Sequence, residues 1–320
     1  MCIRDSSKVS VVPSGLPALP EELTSFGAAI AGGKVYVYGG HTGAAHSYST
    51  TGQSDRLWSL DLAATDAGWK KMPSGPRLQG LALVPYQGKL IRIGGFTAMN
   101  EEGDDHDLRS QTSVAKFDPQ TKAWSDLPGL PEARSSLDAA VLNDTVYVFG
   151  GWKLSGGSED NEWHQSAWSL NLADVDAKWQ ELKEPPFQRR AVSVAAHAGK
   201  LYVLGGMQAV GGPTTKANVY DPANDQWAEA PALPGKGMSG FGSSAFECGG
   251  KLYVSVLDGF VHCLNEDGQG WTTVAKAKTA RFFHRMLPVD ETQLLMLGGA
   301  NMQVGKFTEI DAIRLVQSPQ

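Results

Sequence analysis

Five diglycines recur along this chain, each closing a short apolar run: VYVYGG at Gly39-Gly40, LIRIGG at Gly94-Gly95, VYVFGG at Gly150-Gly151, LYVLGG at Gly205-Gly206 and LLMLGG at Gly298-Gly299. A degenerate copy, LYVSVLDG, ends at Asp258-Gly259. Counted from the last glycine of each, the steps are 55, 56, 55, 53 and 40 residues. A period of this kind marks a repeat architecture, in which one structural unit is copied and stacked. Six units are expected. Length alone would divide 320 residues into two domains; the repeat assigns 7–317 to one, with Met1–Ser6 as a tail.

Each unit orders its signals alike. A small or apolar run such as FGAAIA or AVSVAAH comes first, then a tight turn such as Gly32-Gly33, Gln87-Gly88 or Asn143-Asp144. Gly and Asn supply the positive φ that two-residue hairpins demand. The diglycine run follows, then a polar loop, then a third run (LWSLDL, VAKFDP, AWSLNL, NVYDP, VHCLNE). A Trp opens the fourth: Trp69, Trp124, Trp179, Trp227 and Trp271. Four short antiparallel strands per unit result. Near-continuous apolar runs mean that both faces of each sheet are covered. Six four-stranded sheets packed face to face in a ring meet that demand: an all-β, six-bladed β-propeller, with each Trp expected between neighbouring sheets. The last unit lacks a Trp-led strand. Val9–Pro20 resembles the fourth-strand segment Trp124–Pro131, so residues 9–20 are expected to complete the sixth blade beside 309–316.

The order of diglycine, Asp-bearing third strand and Trp resembles the kelch repeat, from about Ser7 to Val316. The resemblance implies the fold; kelch propellers include protein-binding adaptors and sugar-processing enzymes, so function must be argued from the site. The loops leading into the first strands and those after the diglycines share one face, around the mouth of the central channel. Counted back from the second strand, Arg77 lies 12 before Lys89, Arg134 11 before Thr145, Arg189 11 before Lys200 and Arg281 12 before Gln293. The same offset gives Glu22 in the first unit and Ser239, near Lys236, in the fifth. A ring of four arginines with one acid is thus expected at the mouth, and converging guanidiniums bind carboxylates bidentately. A purely structural role at the blade junctions is the competing reading. Among the loops, Trp152, Trp163 and His164 are candidate ligand contacts, since exposed aromatics concentrate at binding surfaces.

Chemistry is excluded more readily than assigned. Lys+Arg 28 against Asp+Glu 34 leaves a net charge of −6, without the basic cluster that nucleic acid or an anionic membrane attracts. No apolar stretch is long enough for a membrane-spanning helix. His41, His46, His106 and His164 lack a ligand spacing, so neither metal nor other cofactor is expected. Kelch-family copper-radical oxidases use a Cys–Tyr cross-link; Cys248 and Cys263, the latter expected opposite about Val254, fall away from the mouth and too far apart for a disulfide. The favoured reading is a binding module for an acidic ligand: small molecule, glycan or peptide. The alternative, by resemblance to the bacterial N-acetylneuraminate mutarotases, is an isomerase whose arginines hold the sugar carboxylate. Glu22, Glu101, Glu162, His106 or His164 would then transfer protons. The long middle-blade insertion of those enzymes has no counterpart here.

Overall fold

The computed structural model describes residues 9–157 and 161–315; Met1–Ser6, read as a tail, lies outside them. Five blades are four-stranded antiparallel meanders. In blade 3, for example, Asp138–Leu142, Thr145–Phe149, Trp168–Asn171 and Gln180–Glu181 run from the axis outward. The sixth takes Arg285–Asp290, Gln293–Leu297 and Asp311–Arg314 from the C-terminal end and its outer strand, Ser10–Pro13, from the N-terminal end. Val11 faces Ile313 in that ladder. First strands touch in cyclic order, blade 6 returning to blade 1, so no blade lacks a neighbour and the sheet faces are covered throughout.

The repeat signals have specific mechanical causes. Both residues of each diglycine have positive φ; at Gly150 and Gly151 the values are 66° and 98°. The second donates its N–H to a carbonyl at the head of the next blade: Gly40 to Leu78, Gly95 to Arg134, Gly151 to Arg189, Gly206 to Gly240 and Gly299 to Leu23, at 2.7–3.0 Å. A Cβ on Gly205 would stand 2.2 Å from the Gly240 oxygen, so side chains are excluded on two counts. The fourth-strand tryptophans are half-buried rather than engulfed. Their indole N–H groups reach back to the preceding blade: Trp69 to Pro17 O, Trp124 to Pro73 O, Trp179 to Pro128 O, Trp227 to Lys183 O and Trp271 to Pro231 O, at 2.8–3.1 Å. Each stitches the rim while its ring packs against the core. Cys263 faces Tyr253, one residue from the expected Val254, and both Cys248 and Cys263 are buried free thiols.

At the axis one residue per blade is left-handed: Ser25, Gly80, Ser136, Ala191, Gly242 and Phe283, with φ between 51° and 63°. These residues are linked by backbone bonds between blades, Gly80 N to Ser25 O, Ser136 N to Gly80 O and Ala191 N to Ser136 O, each 2.7 Å. Non-glycine residues at such angles cost about 1–3 kcal/mol each, and closure of the ring holds them there. They surround an axial cavity of about 70 Å³.

The residues opening the six first strands are Gly27, Ala82, Asp138, Ser193, Ser244 and Arg285. Four are small, which leaves room for Arg285 of blade 6 to cross the channel and meet Asp138 of the opposite blade 3 at 3.2 Å. The other Asp138 oxygen accepts the Val194 N–H at 2.9 Å. Asp138→Ala and Arg285→Ala are therefore expected to be non-additive by about 0.5–3 kcal/mol in a double-mutant cycle, despite lying 147 residues apart in sequence. Strict additivity of denaturation midpoints would show that the pair does not couple the two halves of the ring.

Candidate functional site

The expected arginine ring does not form. Arg134, Arg189 and Arg281 are 0%, 1% and 3% exposed, and their guanidiniums are committed to their own blades. Arg134 Nη1 donates to the carbonyls of Gly150 and Ser166, Arg189 Nη1 to Gly205 and Lys216, and Arg281 Nη1 to Gly298 and Glu309. In each case the arginine caps the carbonyl of a diglycine and that of the segment entering the third strand. The diglycine turn frees those carbonyls from the ladder, and a buried carbonyl must be paired. Fixed register therefore reflects a carbonyl cap rather than a mouth.

Arg77 and Glu22 lie outside that register. The positions equivalent to Arg134 are Leu78 and Leu23, both buried; Arg77 and Glu22, one residue earlier, are exposed. Arg281 keeps the register despite its offset of 12 because a bulge at Pro288–Asp290 adds a residue. Blade 1 uses Glu21 rather than Glu22 structurally: Glu21 accepts from Trp58 Nε1 at 2.7 Å and Ser54 Oγ at 3.2 Å. Glu132 occupies the same place in blade 3, bonded to Trp168 Nε1 and Ser166 Oγ. His164 is likewise structural: it is buried, its Nε2 lies 3.0 Å from Ala133 O, and burial with the nearby Arg134 charge lowers its pKa.

Trp152 and Trp163 do meet on the loop face. They oppose each other across a short hairpin, with ring centres 5.5 Å apart. The cation that joins them is Arg190, next to the residue singled out from the sequence. Its guanidinium carbon lies 4.1 Å from the Trp152 ring centre and 5.5 Å from that of Trp163. Arg189 and Arg190 form a short strand paired with Met207–Gln208. Successive side chains of a strand point oppositely, so Arg189 turns inward and Arg190 faces the loops. The adjacent RR was the available signal: only one of two neighbouring residues can cap the carbonyls. Among the described residues Arg190 makes no ion pair, and its Nε is buried without a partner. Burial draws its pKa down, opposed by the Tyr48 phenol.

Tyr48 comes from the blade 1 loop, its own pKa raised by burial and eased by Arg190. Its ring is 5.0 Å from His41, 5.8 Å from Phe96 and 5.4 Å from the exposed His106. Loops of blades 1 to 4 thus gather one cation and several aromatic rings over one side of the mouth. Of the remaining loop acids, Glu162 is 3.7 Å from Lys153 and Glu101 accepts from Thr50 Oγ1; Glu159 and Asp160 lie outside the described residues.

A ring of four-stranded blades joined through diglycine turns is a propeller of the kelch type. The Kelch motif model matches residues 188–234. Mouse Kelch-like protein 35 is 28% identical over 264 residues, covering 81% of this chain and 38% of that protein. Kelch-like protein terF of Aspergillus terreus is 28% identical over 234 residues, covering 70% of this chain and 49% of that one. The chain thus spans less than half the length of these curated relatives. The solved structure of YjhT superposes with a TM-score of 0.73 over 92% of this chain and 95% of that one, at 17% identity, a likeness of fold. These matches are to kelch-repeat proteins, whose motif and fold this chain shares.

Proposed function

We propose that this propeller is a binding module whose loop face recognises an acidic ligand, with Arg190 holding the anion and Trp152, Trp163 and Tyr48 walling the ligand. The observation that carries this reading is a cation stacked on two indoles with no carboxylate in ion-pair contact among the described residues. Contact with the two rings holds the guanidinium in place, and a guanidinium without an ion pair is suited to bidentate recognition of a carboxylate. A hydrogen bond to a charged group contributes about 1.5–3 kcal/mol. Replacing Arg190 by Gln is therefore expected to weaken binding at least tenfold without moving the melting temperature.

Thermal shift followed by calorimetry with galacturonate and N-acetylneuraminate tests this. At 100 times Kd a true ligand adds about 2.7 kcal/mol of stability. Undiminished affinity in Arg190→Gln for every acid that binds overturns the reading. The isomerase alternative draws on the same mouth. Of the acids and histidines put forward from the sequence, His106 packs edge-on against Tyr48 beside Arg190. Faster anomer exchange of N-acetylneuraminate, followed by NMR and lost in His106→Ala, would favour it.

A further inference from the structure

The three arginines that cap diglycine carbonyls differ in one respect. Arg134 has a carboxylate, Glu132, at 2.9 Å, and Arg281 has Asp311 at 2.7 Å. Arg189 has none: its Nη2 donates to the side-chain amide of Asn218, and among the described residues it forms no ion pair. Both acid positions are altered in blade 4. Counted from the left-handed axial residue, Phe187 stands where Glu132 stands in blade 3, its ring centre 3.9 Å from the Arg189 guanidinium carbon. Asn218 faces Val203 as Asp311 faces Met296, so an amide replaces the carboxylate of blade 6. A cation buried without a counter-charge is costly, and burial alone pulls its pKa down to about 10.

That cation forms part of the wall of a groove of about 720 Å³, together with Phe187, Gln188, Lys216, Trp227 and Glu229. The volume falls within the roughly 300–1,000 Å³ of ligand-holding clefts. One wall is the outer strand Gln226–Ala230, which is paired only with Ala217–Asp221. Its Ala228 and Glu229 are exposed, and a strand paired on one side offers backbone donors and acceptors to an extended chain.

We propose that the blade 4 groove docks an extended segment of a partner protein, whose acidic side chain supplies the carboxylate that Arg189 lacks while Phe187 turns aside to admit it. The site is separate from the mouth, and Arg190→Gln serves in its test to tell the two apart. The full chain is titrated with the capped peptide Ac-Ala-Ala-Glu-Ala-Ala-NH2 and its Gln counterpart, following the Trp227 indole resonance. The Glu peptide is expected to bind at least tenfold more tightly than the Gln peptide. Asn218→Asp, nearly isosteric, installs the blade 6 carboxylate; it is expected to abolish that preference and to raise the melting temperature. Phe187→Ala is expected to retain or strengthen binding, and Arg190→Gln to leave it unchanged. Equal affinity for the two peptides, or unaltered binding in Asn218→Asp, overturns the proposal. So does equal affinity for N-acetylglutamate amide, which would make the groove a small-acid site, or loss of binding in Arg190→Gln, which would return the peptide to the mouth.

Discussion

Deleting residues 1–20 is expected to abolish the single cooperative unfolding transition of the whole ring. Ser10–Pro13 is the outer strand of the last blade, hydrogen-bonded along Asp311–Arg314, and Leu19 N further bonds Thr308 O. Leu19 also sits in the core cluster between blades 1 and 6, with Leu23, Phe26 and Leu287. Its loss opens a sheet edge and uncovers apolar surface at the one seam where the two chain ends meet. Each large buried side chain so exposed forfeits about 1.5–3 kcal/mol. Removing residues 1–6 is expected to change little. Calorimetry distinguishes the two truncations; an unaltered sharp transition in the longer one would show that the N-terminal strand does not close the ring.

The second large effect is on stability, at a residue that the sequence suggested for binding. Arg134→Ala orphans the carbonyls of Gly150 and Ser166 and leaves Glu132 without its cation. Leaving buried carbonyls unpaired costs about 1–3 kcal/mol each. For a chain of this size that lowers the melting temperature by roughly 10 °C. Lys at the same place does not restore it, because an ammonium lacks the planar fork that spans two carbonyls and a carboxylate. Chemical denaturation of the two variants checks this, with Arg77→Ala as a control: Arg77 is exposed, and its substitution is expected to stay within ±0.5 kcal/mol. A stable Arg134→Ala variant with impaired ligand binding would restore the arginine to the mouth.

What the sequence determined by itself is the propeller. Diglycines, hairpin turns and fourth-strand tryptophans are local requirements of backbone angle and strand end, repeated at a fixed period, and six repeats with one strand missing leave only the N-terminal segment to complete the ring. Such signals are legible because each depends on its own residues and on an identical neighbour. The site depends on direction, which spacing does not carry. Arg189 and Arg190 differ by one residue, yet one caps carbonyls inside blade 4 and the other lies on Trp152 of blade 3, because adjacent side chains of an extended chain point to opposite sides. The bulge at Pro288–Asp290 kept Arg281 in register while the same offset misplaced Arg77 and Glu22. Only the closed ring brought Asp138 to Arg285 and Tyr48 to Arg190, since contacts across an axis join residues whose separation in sequence says nothing about their distance.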